Sequence, residues 1–208
     1  MTTFIGLKNN LNNRLPKIMN LVFASNNKHK IQEIKQLLPE TYQISSLSDI
    51  GCTVDIPETA ATIEGNAMLK ADYVTKEYKL SCFADDSGLE VESLDNAPGV
   101  HSARYAGDQK NDEDNIDKLL RELEGKPSRK AQFKTVIALN INGKQHLFTG
   151  IVTGEIISER RGENGFGYDP VFVADGFNKT FAELTSEEKN KVSHRAKAIN
   201  QLIDFLKS

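Results

Sequence analysis

Leu80-Ser81-Cys82-Phe83-Ala84 runs straight into Asp85-Asp86-Ser87-Gly88, so an apolar stretch ends on two adjacent carboxylates. The apolar part reads as a buried strand, and Leu89-Glu90-Val91-Glu92 beyond it alternates as a half-solvated strand does. Upstream, Ile63, Ala67, Ala71, Val74 and Tyr78 recur at helical spacing across 62–78. Before that, Leu21-Val22-Phe23-Ala24 reads as a short strand and Ser25-Asn26-Asn27 as a polar turn. Ile31, Ile34, Leu37 and Leu38 then form a helical stripe that Pro39 ends. Downstream, Ala97-Pro98-Gly99 is a turn, and Ile116, Leu119, Leu120 and Leu123 mark a helix that runs out at Gly125 and Pro127. Strands over 131–141 and 144–153 meet at Asn142-Gly143, a two-residue hairpin signal. Val171-Phe172-Val173 is a short strand, and Ala196, Ile199, Leu202, Ile203 and Leu206 mark a last helix. Strands alternating with helices, plus one long hairpin, predict an α/β domain on a mixed sheet with flanking helices.

A chain of 208 residues can bury one substantial core. The net charge of −3 argues against a general nucleic-acid or membrane-surface binder, which needs a basic footprint. Cys52 and Cys82 have no metal-ligand spacing and read as free thiols of a reducing cytoplasm. No apolar stretch approaches the roughly 20 residues that span a bilayer. Residues 1–19 are Asn-rich and read as an extension, either a disordered arm or residues upstream of a start at Met19. The domain is expected over 20–208.

Asp85 and Asp86 are costly to bury unpaired. Mg²⁺ would compensate them, since it binds through one or two carboxylates plus substrate phosphates. Such acid pairs also serve as turn formers and helix caps. Ser87 adds a hydroxyl, and Gly88 a backbone that a ligand can approach closely. The segment Ser25-Asn26-Asn27-Lys28-His29-Lys30 places polar groups and cations at a helix start, a ready anion site, though it is no P-loop. Lys70 falls inside the apolar face of its helix, so it either snorkels to water or points into a negative site. Gly165-Phe166-Gly167-Tyr168-Asp169-Pro170 sets two aromatic rings on a glycine-hinged loop, fit to stack on a planar ligand or to fill a tight turn. Thr185 and Glu188 match a capping box. In Ser193-His194-Arg195 a cation opposes the helix dipole, which calls for a ligand or an acidic partner.

These segments, in this order, resemble the inosine triphosphate pyrophosphatase family (Ham1-like) from Asn20 to the C-terminus. The motifs are Ser25-x-Asn27-x-x-Lys30, Glu58 with Glu64-Gly65-Asn66-Ala67-x-x-Lys70, Asp85-Asp86-Ser87-Gly88-Leu89, and Ala97-Pro98-Gly99-Val100-x-Ser102-Ala103-Arg104-Tyr105. Gly165-Phe166-Gly167-Tyr168-Asp169-Pro170 and Ser193-His194-Arg195 complete the set. The resemblance implies an elongated mixed sheet with two lobes around a substrate cleft, in a homodimer. It implies Mg²⁺-dependent hydrolysis of ITP, dITP and XTP to the monophosphate and pyrophosphate. It further implies Asp86 as proton acceptor and Glu58 as a metal ligand, with Asp85 a metal or outer-shell partner. Ser25, Asn27, Lys30, Lys70 and Ser87 would hold the triphosphate, and Phe166 would stack on the base. Asp169, Lys189, His194 and Arg195 would recognise the base. A sensing module without hydrolysis, and a Mg²⁺-dependent phosphomonoesterase, are the rival readings.

Overall fold

One sheet carries the chain, in strand order β2-β1-β3-β4-β5-β6. The strands are β1 (Met19–Phe23), β2 (Tyr42–Ser45), β3 (Cys82–Val91), β4 (Lys130–Ile141), β5 (Lys144–Ile156) and β6 (Phe172–Ala174). This computed structural model describes residues 19–208, so the extension lies outside them save Met19, which opens β1 opposite Tyr42. β1 runs parallel to β2 and β3, while β3 to β6 are antiparallel, the mixed sheet expected. Asn142 and Gly143 both hold positive φ (51° and 71°), as a tight primed hairpin turn requires. β2 escaped the sequence reading because four half-wet residues at a sheet edge carry too little alternation.

The largest departure concerns Asp85-Asp86-Ser87-Gly88, expected at the end of a strand. β3 continues through it for ten residues, in unbroken register with β4 from Cys82↔Asn140 to Val91↔Ala131. Lys30 and Arg195 neutralise Asp85, and Lys70 stands 3.6 Å from Asp86, so the strand need not stop at them. Gly88 serves packing more than a ligand: a Cβ there would strike the Gly99 carbonyl.

Five helices flank the sheet among the described residues: α1 (Lys28–Leu37), α2 (Ile63–Tyr78), α3 (Asp112–Glu122), α4 (Ser186–Val192) and α5 (His194–Lys207). α1 and α5 cover one face, with Ile34, Ile199 and Leu202 against Phe23, Phe83 and Ile137. α2 covers the other, with Ala67, Ala71 and Val74 against Ala84, Val136 and Ala138. A third cluster, with Leu89, Ile116, Leu119, Phe133 and Phe172, builds a second lobe at the far end of the hairpin. The Thr185–Glu188 capping box forms at α4, and Thr180 with Glu183 forms another.

Candidate active site

β1 stops at Phe23 while β3 runs on. Past Phe23↔Phe83, the free edge of β3 meets no backbone bridge until Pro98 opposite Glu90. A cleft of about 580 Å³ opens along this gap. The Ser25–Asn27 turn and the start of α1 stand at the carboxyl end of a parallel strand, where open α/β sheets bind ligands. Ser25 Oγ accepts the Asn27 N–H (3.2 Å), and Asn27 Oδ1 caps α1 by accepting the Lys30 N–H (3.1 Å). Ser25, Asn26, Asn27, His29 and Lys30 line the cleft; Lys28 is exposed and stands outside the lining.

Because neighbouring strand residues point to opposite faces, Asp85 and Asp86 part company. Asp85 shares the face of Phe83 and is 1% exposed. It accepts from Lys30 Nζ (3.1 Å) on α1 and from Arg195 Nε (3.2 Å) on α5. Burial would raise its pKa, but Lys30 and then Arg195 outweigh that and hold it well below the ordinary 3.8. Asp86 shares the face of Ala84 and looks toward α2, with Lys70 Nζ 3.6 Å away. Its Oδ2 is buried without a hydrogen-bond partner. Burial pushes the Asp86 carboxyl above 3.8, against the pull of Lys70 and Lys30.

Lys70 does point inward: it is 8% exposed, with Nζ 2.6 Å from Glu58 Oε1. Burial disfavours its charge, yet Asp86 and Glu58 hold its pKa above 10.5. Burial also opposes ionisation of Glu58, but Lys70, followed by Lys30 and Arg104, keeps it below 4.5. Glu58 and Asp86 therefore meet around one lysine at the cleft, with Asp86 Oδ2 unsatisfied. Among the described residues no three acidic, His or Cys side chains gather as a complete metal site. Two carboxylates with a free oxygen fit Mg²⁺ in the mode that draws its other ligands from phosphates and water. Asp85 is not part of that pair, because its strand face turns it toward Lys30 and Arg195.

At the other end, Phe166 lines the cleft half-buried, while Tyr168 is buried and donates its hydroxyl to the Ser102 carbonyl (2.9 Å). Both rings line the cleft, and Tyr168 also packs into the core. Asp169 Oδ2 accepts the Phe166 N–H (2.9 Å) and Lys189 Nζ (2.6 Å), and Asp112 accepts the Gly167 N–H (2.7 Å). Lys189 Nζ lies 5.1 Å, and the Arg195 guanidinium 5.6 Å, from the Phe166 ring centre. Arg195, 2% exposed, donates to Asp85, to Glu33 and to Ser87 Oγ (3.2 Å). Its misfit with the α5 dipole is answered by these carboxylates. Ser87 Oγ also meets Thr135 Oγ1 (2.7 Å) beneath the cleft. His194 stacks on Phe133 (4.7 Å), and burial, then Arg195 and Lys189, keeps it neutral with Nδ1 unpartnered.

This arrangement has close counterparts. The Ham1 family model matches residues 21–205. The chain belongs to the Ham1 family. The dITP/XTP pyrophosphatase of Flavobacterium psychrophilum is 64% identical, over 91% of this chain and 100% of that one. The Bacillus subtilis protein of the same name is 47% identical over 90% of this chain and 96% of its own. The Staphylococcus aureus Ham1 protein structure superposes with a TM-score of 0.83 at 44% identity, covering 90% and 98% of the two chains.

In this Ham1-family chain the structure adds residues that the motifs did not single out for a role. Glu33 accepts from Lys189 Nζ (2.9 Å) and from Arg195. It sits three positions after Lys30 on α1, a same-face spacing that could have drawn notice. Asp112 and Thr135 had no such local signal. No helix among the described residues is long and apolar enough to cross a membrane.

Proposed function

We propose that the chain hydrolyses altered purine nucleoside triphosphates, dITP, XTP and ITP, to the monophosphate and pyrophosphate, with Mg²⁺ as cofactor and Asp86 as base. Membership of the Ham1 family and the pyrophosphatases identical at 64% and 47% support the enzyme class, a nucleoside triphosphate pyrophosphatase. The observation that carries the reading is Asp86, a buried carboxylate with raised pKa and one unpartnered oxygen, set beside Glu58 and Lys70 in the cleft.

A raised pKa makes Asp86 a better proton acceptor for a water aligned on the α-phosphate. Mg²⁺ held by Glu58 and Asp86 would supply Lewis-acid neutralisation of the phosphate oxygens. Lys70 and Lys30 add fixed positive charge where the leaving pyrophosphate gains negative charge. Asp85 holds Lys30 Nζ in place at 3.1 Å. Phe166 offers a ring face to the base. Arg195 spends three of its five N–H donors on Asp85, Glu33 and Ser87, which leaves two for an acceptor. Lys189 and Arg195 present only donors, which suit a 6-oxo purine and mispair with adenine's amino group.

The test is product identification from dITP, XTP, ITP, dATP and dGTP, with Mg²⁺ and with EDTA. Pyrophosphate from the first three with Mg²⁺, and none with EDTA, is expected. Inorganic phosphate with an aspartyl-phosphate intermediate would show a phosphomonoesterase instead, and binding without turnover a sensing module. The same reading makes the enzyme a cytoplasmic homodimer; sedimentation as a single subunit would refute the dimer.

A further inference from the structure

Arg104 ends the 3-10 turn Gly99–Arg104 and lines the cleft, with no role so far beyond its charge beside Glu58. Its mounting is rigid. Leu89 N–H donates to Ser102 Oγ (2.9 Å), which donates to the Gly99 carbonyl (2.6 Å). Tyr168 grips the Ser102 carbonyl, and Asn115 Nδ2 donates to the Ala103 carbonyl (3.2 Å). The backbone bearing Arg104 is thus tied to β3, to the base loop and to α3 together.

Its charge is under-used. Nη1 stands 3.7 Å from Glu58 Oε2, and Nη2 makes a long bond (3.4 Å) to the Glu58 carbonyl. Glu58 is already held by Lys70 at 2.6 Å, and no other ion pair to Arg104 forms among the described residues. Lys30 and Arg195, by contrast, are committed to the buried Asp85. Arg104 lies at the Glu58–Lys70–Asp86 end of the cleft, while the Phe166 platform contacts Lys189 and Arg195. A guanidinium fork there matches phosphate oxygens two at a time.

We propose that Arg104 binds the β- and γ-phosphates, the part of the substrate that departs as pyrophosphate. The inference rests on the pyrophosphatase reading. In the step concerned, water oxygen bonds to the α-phosphorus, and the bond from that phosphorus to the oxygen bridging it to the β-phosphate breaks. The electron pair leaves on pyrophosphate and the water proton goes to Asp86. Arg104 shifts from Glu58 to the leaving oxygens.

Calorimetric titration of pyrophosphate and of dIMP, each alone, into wild type, Arg104→Ala, Arg104→Lys, Glu58→Gln and the Glu58→Gln/Arg104→Ala double variant tests it. Arg104→Ala should weaken pyrophosphate binding about 10- to 100-fold, the range a charged hydrogen bond commands. It should leave dIMP within about twofold, with partial recovery in Arg104→Lys, and the loss should persist in the Glu58→Gln background. Unchanged pyrophosphate affinity overturns the proposal. So does an equal loss for dIMP, or a loss that vanishes with Glu58→Gln, since either leaves Arg104 only a tether. A wild type that binds pyrophosphate but releases none from dITP refutes the pyrophosphatase reading, and the same titrations still decide Arg104.

Discussion

Asp85→Asn and Asp86→Asn are neighbouring, isosteric changes that should do opposite things. The Asp85 carboxylate, 1% exposed, lies between Lys30 Nζ (3.1 Å) and Arg195 Nε (3.2 Å). Its neutralisation leaves Arg195 with Glu33 but strips Lys30 of its one carboxylate partner among the described residues. Breaking a buried pair from one side costs about 3–5 kcal/mol. At about 2–4 °C per kcal/mol for a chain of this size, the melting temperature should fall by roughly 6–20 °C. Asp86 is different. Lys70 sits 3.6 Å from it but keeps Glu58 at 2.6 Å, and Asp86 Oδ2 has no hydrogen bond to lose. Asp86→Asn should move stability by about 1 kcal/mol at most, while turnover falls by about 10²–10⁴-fold, the contribution of a positioned base. Thermal melts by circular dichroism, paired with pyrophosphate release from dITP, read both effects. A melting temperature for Asp85→Asn within 3 °C of wild type, on the conversion above of about 2–4 °C per kcal/mol, would refute the buried-pair argument. An Asp86→Asn enzyme of near wild-type rate would refute the base.

Four further outcomes follow from the same contacts. The folded Asp85 pKa lies below its unfolded 3.8, so its stabilisation is complete above pH 3.8 and drains away as pH falls through the depressed value; acid titration of stability should be shallower in Asp85→Asn below that pH. Glu33→Gln unhooks Lys189 and Arg195 from a shared carboxylate, and should raise KM for dITP about tenfold with kcat nearly kept, narrowing ITP-over-ATP preference in steady-state assays. Gly88→Ala drives a methyl into the Gly99 carbonyl and should cost about 1–3 kcal/mol in denaturant unfolding. Phe166→Ala removes the base platform, worth about 1–3 kcal/mol, so dIMP binding weakens while pyrophosphate binding holds, as calorimetry can show.

Much of the fold lay within reach of local pattern. The stripe of α2, with Lys70 set on its apolar face, follows from 3.6-residue periodicity, and the β4–β5 hairpin from Asn142-Gly143. Where a cue was weak or ambiguous, the reading failed. Acid pairs end strands often enough that the strand is expected to stop at Asp85-Asp86, though ten residues of pairing with β4 run through them. The Gly-Phe-Gly-Tyr loop advertised two rings alike; both line the cleft, and only packing shows that Tyr168 is also buried in the core while Phe166 is half-buried.

By itself, the sequence determined the kinds of element, their order and the inventory of charged and aromatic groups, because these rest on neighbours within a turn or two. Tertiary structure alone decided what each charge does. Asp85 finds Arg195 across 110 residues of chain, and Lys189 finds Glu33 across 156. Two adjacent aspartates became a buried structural anion and a cleft-lining carboxylate because consecutive strand residues face opposite sides, and different helices cover those sides.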